Sequence, residues 1–125
     1  MRLRSALVAV ALGATAAAGA VAVPAQAAPA GESAVTCGNA YWPHENVDSG
    51  SGRVTKSGSA AVHTGPYGAC TTVGYVSQDA RVSYDCYVVN DYGNRWTWIR
   101  DAAGSSLGWI YGAYLSNGGA TTRCP

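Results

Sequence analysis

The side chains of this chain that could do chemistry are two histidines, four cysteines and seven carboxylates. His44 and His63 are isolated in sequence, and the chain contains no Gly-x-Ser-x-Gly elbow, no phosphate-binding loop and no pair of carboxylates on a shared scaffold. The Cys-x-x-Cys spacing of zinc sites is also absent. The sequence therefore predicts a non-enzymatic protein with no catalytic residue, no metal and no cofactor. A catalytic triad assembled only in space is the open alternative.

Aromatic side chains offer a second kind of chemistry, the binding of a ligand. Residues 95–115 contain three tryptophans and two tyrosines, in a chain with no phenylalanine: Trp96, Trp98, Trp109, Tyr111 and Tyr114. Buried area alone favours placing tryptophan in a core. Rigid aromatic walls also suit extended peptides or glycans, because they offer contact area at low entropic cost. The alternation of residues in these segments does not decide between the two.

The four cysteines predict two disulfide bonds. Three pairings of Cys37, Cys70, Cys86 and Cys124 are possible in principle. If residues 71–76 and 80–89 form an antiparallel hairpin, Cys70 lies directly opposite Cys86, with Cβ atoms ~4.5 to 5.5 Å apart, as a disulfide requires. This register predicts a Cys70–Cys86 bond and, by exclusion, a Cys37–Cys124 bond.

Residues 1–27 have the pattern of a secretory signal peptide, with Arg2 and Arg4 before an apolar stretch and cleavage expected after Ala27. An uncleaved membrane anchor is the weaker alternative, because the stretch is mostly Ala and Gly whereas a span needs ~20 strongly apolar residues. Removing the two arginines leaves six of the eight Lys/Arg against seven Asp/Glu, a net charge near minus one. We therefore expect a secreted, extracellular or cell-wall-associated protein that binds neither nucleic acid nor membrane.

The mature chain reads as one small all-β domain. Residues 28–58 are expected to be a flexible lead and a disulfide-tethered N-terminal extension, and residues 59–125 a small barrel with a C-terminal tail. Strands separated by Gly, Asn and Asp turns are expected at Ala60–His63, Thr71–Val76, Arg81–Val89, Arg95–Asp101 and Leu107–Tyr111. The aromatic cluster at residues 41–44, within Gly38–Lys56, either caps the barrel or binds a partner.

Alternation within Arg81–Val89 predicts that Val82, Tyr84, Cys86 and Val88 share one inward face. Asp85 is then expected to be a solvated charge on the other face. His63, beside a turn, is expected to have a hydrogen-bonded structural role.

Part of the chain, Ser59–Ser116, resembles the bacterial SH3 domain. The motifs that carry the resemblance are Ala61-Val62-His63-Thr64-Gly65-Pro66, Val73-Gly74-Tyr75-Val76, Val82, Trp96-Thr97-Trp98-Ile99, Gly104, Gly108-Trp109-Ile110 and Tyr114-Leu115. Three positions depart from the family pattern: Ala61 and His63 stand where Asn and Arg are usual, and Asp79 where a turn glycine is common.

The resemblance implies a small SH3-like barrel, stapled here by two disulfides, with Ile99, Ile110 and Leu115 inward. The burial preference of tryptophan separately predicts that Trp98 and Trp109 pack in or below the core. The resemblance further implies a shallow aromatic groove on the outside, made by Trp96 and Tyr114 with Tyr111, Tyr67 and Tyr92 as neighbours. For Tyr67 and Tyr92, packing within their own loops is the open alternative. Side chains such as Asn90, Asp91 and Asn94 could add hydrogen bonds to a ligand. The implied function is binding of cell-wall peptide or peptidoglycan. The alternative is an extracellular protein-interaction or inhibitor protein.

Overall fold

Six antiparallel β-strands make up the fold of residues 35–125, the part of the chain that the computed structural model describes. The strands are β1 (Ser51–Arg53), β2 (Ser59–His63), β3 (Thr72–Ser77), β4 (Arg81–Val89), β5 (Arg95–Arg100) and β6 (Ser106–Tyr111). Two short 3-10 turns follow, Gly112–Tyr114 and Ser116–Gly118, and the described residues contain no α-helix. The all-β prediction is confirmed. The predicted signal peptide lies outside the described residues.

The strands form one sheet in the order β1-β4-β5-β6-β2-β3. Strands β4, β5 and β6 are a meander, and β2 and β3 form a hairpin that joins the meander where His63 pairs with Trp109. The outer strands β1 and β3 do not pair with each other, so the sheet is open.

The five predicted strands match the observed ones to within one residue at each end. Local turn chemistry explains the agreement, because Asx side chains close the two loops of the meander. Asn90 Oδ1 accepts hydrogen bonds from the backbone N–H groups of Tyr92 and Asn94, at 3.0 and 3.1 Å. Asp101 Oδ1 accepts from two backbone N–H groups of the next loop in the same way. Strand β1 was not predicted, since Gly/Ser breaks surround it.

One face of the sheet folds over a main core of aliphatic residues and one tyrosine. Its buried members are Val54, Ala60, Val62, Val82, Tyr84, Ile99, Ile110, Leu115 and Ala120. The inward positions predicted for Ile99, Ile110 and Leu115 are confirmed. Thr97 is fully buried beside this core, where its Oγ1 accepts a hydrogen bond from the backbone N–H of Ala120.

The opposite face of the sheet carries a second apolar cluster, here called the tryptophan cluster. Its buried members are Trp96, Trp98 and Trp109, with Trp42, Val88, Tyr111 and Cys124 packed against them. Cross-strand pairing brings the rings together, because Trp98 lies opposite Trp109 in the β5–β6 register, with ring centroids 5.5 Å apart. The expectation that Trp98 and Trp109 are packing residues is confirmed.

A register shift between Tyr84 and Cys86 changes the face that β4 presents. Val82 and Tyr84 belong to the main core, whereas Cys86 lies opposite Trp98 and Val88 lies opposite Trp96 on the tryptophan cluster. The single inward face predicted for these four residues is therefore wrong beyond Tyr84. An extra residue in one strand of an antiparallel pair has this effect, since side chains alternate with a period of two.

Two disulfide bonds are present, but their partners differ from the prediction. Cys37 bonds to Cys70 and Cys86 bonds to Cys124. The predicted pairing failed because β3 pairs with β2, not with β4. The backbone of the β3–β4 connection bonds instead to Val54 beyond the end of β1. Cys70 therefore never lies opposite Cys86.

Backbone and carboxylate hydrogen bonds hold the C-terminal tail against the sheet, beside the second disulfide. Asp48 Oδ2 accepts hydrogen bonds from the N–H groups of Thr121 and Thr122, both at 2.8 Å. The tail then exchanges backbone bonds with Tyr87, whose N–H donates to Thr122 and whose carbonyl accepts from Cys124. The Cys86–Cys124 bond thus closes a segment that is already paired.

Non-reducing peptide mapping tests the disulfide pairing. Trypsin separates the four cysteines into four peptides, because an arginine or lysine lies between each successive pair. We expect Ser57–Arg81 to be joined to the peptide that carries Cys37, and Val82–Arg95 to the dipeptide Cys124-Pro125. A linked product of Ser57–Arg81 with Val82–Arg95 would instead show the Cys70–Cys86 bond that was predicted from the sequence.

Candidate functional site

An aromatic groove lies beside the tryptophan cluster and encloses about 300 Å³. We call it the binding groove. Residues from β2, β3, β5, the end of β6, the following 3-10 turn and two loops line it: Lys56, Ser59, Ala61, His63, Gly68, Tyr75, Trp96, Tyr111 and Tyr114. Three of the five tyrosine and tryptophan residues that the sequence placed in a groove are therefore found together.

Trp96 lies at the edge of this groove but is only 6 % exposed. Its ring packs at 5.6 Å from the ring of Tyr111 and edge-on to the ring of His63 at 5.5 Å. The prediction of an exposed indole is wrong. Strand β5 pairs on both sides, and the Trp96 ring packs within the tryptophan cluster on one face of the sheet. Trp96 is a buried support under the groove, and its Nε1 has no hydrogen-bond partner within residues 35–125.

Tyr111 and Tyr114 form one wall of the groove. Their rings meet edge to face, with centroids 5.1 Å apart, and both side chains are partly exposed. The Nζ atom of Lys56 lies 5.5 Å from the ring centroid of Tyr114. This arrangement leaves aromatic surface and one cation open to solvent at the same place.

Tyr75 forms another part of the groove's lining and was missed by the sequence prediction. It is 71 % exposed, on the edge strand β3. Val73, two residues earlier, is also exposed. A register shift in the β2–β3 pairing leaves Val73 as an extra residue between Thr72 and Gly74, so alternation in the sequence did not indicate that Tyr75 lines the groove. Tyr75 lies opposite Ala61 of β2 in this pairing, and Ala61 also lines the groove.

Tyr67 and Tyr92 do not line the groove. Tyr67 is 2 % exposed, and its hydroxyl donates a hydrogen bond to Asp91 Oδ2 at 2.9 Å. Burial and this bond raise the pKa of the Tyr67 hydroxyl above its usual value. Tyr92 is exposed and packs edge-on against Tyr67, at 5.7 Å between centroids. The two rings join the 64–71 loop to the 90–94 loop. Neither ring flanks Trp96 and Tyr114 in the groove.

Asn90 has a structural position in the same loop cluster. Its side chain is buried, and its Nδ2 donates to the carbonyl of Pro66 while Oδ1 accepts the two backbone bonds of its own loop. Both polar atoms of the side chain therefore bond to the protein backbone. Asn90 therefore positions the loop that carries Asp91 and Tyr92.

His63 lines the groove with a ring that the protein already holds. Its Nδ1 lies 2.9 Å from the carbonyl oxygen of Cys70, which can only accept, so Nδ1 carries the proton. The side chain is buried, and Trp96 packs against it edge-on. The predicted hydrogen-bonded structural position is therefore present.

A buried ionic cluster lies on the tryptophan-cluster side of the sheet. Asp85 is 3 % exposed, not solvated as predicted, and it pairs with the guanidinium Nε of Arg100. His44 Nδ1 lies 3.5 Å from Asp85 Oδ2, and the His44 ring stacks on Trp98 at 3.5 Å between centroids. The register shift after Tyr84 explains the burial of Asp85, because it turns this carboxylate toward the segment that covers the cluster.

The segment at residues 41–44 is the cover of the tryptophan cluster. Trp42 packs against the cluster, and its Nε1 donates to the carbonyl of Thr36 at 2.9 Å. His44 supplies the stacking contact on Trp98. Only Tyr41 of the three aromatic rings in this segment is largely exposed, at 65 %. Of the two alternatives left open by the sequence, the contacts of Trp42 and His44 are those of a cap.

No family model, curated protein or solved structure matches this chain. Within residues 35–125, no group of three or more His, Cys, Asp or Glu side chains is arranged to hold a metal ion. The same residues include no helix of the length and apolar character that crossing a membrane requires. The two disulfides are typical of proteins in an oxidising, extracellular environment.

The burial of His44 in the segment at residues 41–44 leads us to expect that the protein loses stability in mild acid. Burial lowers the pKa of His44 below 6.5, against the opposing attraction of Asp85, whose Oδ2 lies 3.5 Å from His44 Nδ1. A histidine with a lowered folded-state pKa binds fewer protons when folded than when unfolded, so the free energy of unfolding falls as the pH drops below about 6.5.

Urea denaturation at several pH values between about 7.5 and 5.5 measures this dependence, since the ordinary Asp and Glu pKa values lie below that window. We expect the wild type to lose stability across the window and His44→Gln to lose less. Equal slopes for the two proteins would show that His44 does not titrate with folding.

Proposed function

We propose that this chain is a secreted, non-enzymatic binding module that recognises cell-wall peptide or peptidoglycan through the binding groove. The observation that carries the proposal is the groove itself. Three tyrosine rings, from Tyr75, Tyr111 and Tyr114, reach the surface around one open trough beside the buried Trp96. Exposed rings on a rigid sheet bind extended chains well, because little side-chain entropy is lost on contact.

The proposed architecture is an SH3-like one. The residues that carry the resemblance to the bacterial SH3 domain have positions that fit it: Ile99, Ile110 and Leu115 are buried in the main core, and Tyr114 ends the last turn at the surface. The open six-stranded sheet with two covered faces is compatible with this proposal. Peptide recognition by the aromatic surface of such domains is what the resemblance implies.

Two observations support secretion. Residues 1–27 have the pattern of a signal peptide, and both disulfides join residues of the described domain. Disulfide bonds persist outside the cytosol, where thiols are not kept reduced. An extracellular or cell-wall location would also bring the groove to the proposed ligand.

The lining of the groove supports binding without chemistry. Its ionisable side chains are one lysine, three tyrosines and His63, and His63 Nδ1 is engaged with the carbonyl of Cys70. A nucleophile activated by a neighbouring base is the usual basis of hydrolysis at such a site, and these residues do not supply that pair.

The alternative, an extracellular protein-interaction or inhibitor protein, is favoured by the edge strand β3. This strand pairs only with β2, and the exposed Val73 and Tyr75 lie on it. An open edge can accept a further strand from a partner protein through backbone hydrogen bonds. The other edge, β1, is less accessible, since the N–H of Arg53 donates to Ser116 Oγ.

Retention on purified peptidoglycan tests the proposal. We expect Tyr75→Ala and Tyr114→Ala each to weaken binding about fivefold to tenfold, because an aromatic contact contributes about 1 kcal/mol and 1.4 kcal/mol is a factor of ten. Tyr41→Ala is the control matched to Tyr75→Ala, since it removes a similarly exposed tyrosine outside the groove. Thermal denaturation of each variant shows that the fold is intact.

Two results would count against the proposal in different ways, and a third would enlarge the site. Equal retention of wild type and both groove variants would remove the groove as the binding site. No retention of the wild type would remove peptidoglycan as the ligand and leave the protein-interaction alternative. Weaker retention of Tyr92→Ala would extend the site to the loop cluster of Tyr67 and Tyr92.

A further inference from the structure

Lys56 is the charged side chain that lines the binding groove. Its Nζ lies 5.5 Å from the ring centroid of Tyr114, and the residue is exposed. Within residues 35–125, the salt bridges are those of Asp85 with His44 and Arg100, so Lys56 forms none there. The ammonium group is therefore available to a ligand.

The groove contains no opposing charge. None of the side chains that line it in the described part of the chain is a carboxylate. His63, the other group there that can carry positive charge, faces the carbonyl of Cys70 through Nδ1. The charge that a ligand meets in the groove is thus positive or zero, although the mature chain as a whole is slightly acidic.

The surroundings of Lys56 strengthen its attraction for an anion. Its position over the Tyr114 ring gives its aliphatic stem an apolar surface and limits the places that the ammonium group visits. Aromatic walls also displace water from a bound ligand, and charge-assisted hydrogen bonds are stronger where water is partly excluded. A ligand with an anionic group at this end of the groove would therefore gain both contact area and a fixed orientation.

We propose that the binding groove selects peptides with a free carboxylate, and that Lys56 binds this carboxylate while the tyrosine rings hold the adjoining chain. The inference rests on the proposed function and narrows its ligand. Stem peptides of peptidoglycan carry free carboxylates, whereas uncharged cross-bridges and amidated peptides do not. The groove would thus distinguish wall peptides by charge at one position.

The experiment compares two forms of one probe. The probe is an N-acetylated synthetic stem tetrapeptide, either with its carboxyl groups free or with all of them amidated, titrated into the full mature chain and followed by NMR chemical shifts. We expect the free acid to bind about fivefold to tenfold more tightly than the amide at low salt. The difference should shrink in about 0.5 M salt, because screening weakens exposed charge pairs.

Variants assign the effect to Lys56. We expect Lys56→Met to abolish the preference, so that the variant binds the free acid and the amide with equal affinity. Lys56→Arg should retain the preference. Arg81→Met is the matched control, because it removes an exposed cation that does not line the groove and should change neither affinity.

The outcomes separate this inference from the proposed function. Equal binding of both probe forms to the wild type, with shifts at Tyr75 and Tyr114, would overturn carboxylate selection and leave the groove as a peptide site. A preference for the free acid that Lys56→Met retains would overturn the role of Lys56. Failure of both forms to bind, while intact peptidoglycan is retained, would overturn the peptide carboxylate as the ligand. Failure of peptidoglycan as well would overturn the proposed function itself.

Discussion

The register shift at Asp85 in β4 is the constraint on which most of this structure depends. It lets one strand serve both faces of the sheet, with Val82 and Tyr84 in the main core and Cys86 and Val88 on the tryptophan cluster. Without it, side chains would alternate regularly and Cys86 would face the main core. The shift therefore makes the Cys86–Cys124 bond possible and turns the carboxylate of Asp85 toward Arg100.

A sheet that is apolar on both faces needs a cover on each. The main core is covered as the sheet folds over itself, and the tryptophan cluster is covered by the N-terminal segment, through Trp42 and His44. The Cys37–Cys70 bond holds the start of that segment to the 64–71 loop. Small domains bury little surface, so this covalent link offsets part of the entropic cost of ordering the cover.

This division of the aromatic residues explains the position of the binding groove. The tryptophans are packing residues, and the rings at the surface of the groove are tyrosines, whose hydroxyls tolerate water. Trp96 belongs to both the tryptophan cluster and the groove, because it packs in the cluster and supports the groove from below. Substitution of Trp96 would thus disturb the packing of the cluster and the shape of the groove together, whereas Tyr75 can be changed with little effect on the interior.

The sequence by itself determined the all-β class, the limits of five strands and the presence of two disulfides, because alternation, turn residues and an even cysteine count are local or compositional properties. The resemblance to the bacterial SH3 domain also indicated Tyr111 and Tyr114 as groove residues. Only the tertiary structure decided that β3 pairs with β2, and hence which cysteines bond. It likewise decided that Trp96, Tyr67 and Asp85 are buried and that Tyr75 lines the groove. The physical reason is that these outcomes depend on which strands are neighbours and on one register shift, and contacts between residues distant in the chain leave no periodic signal in it.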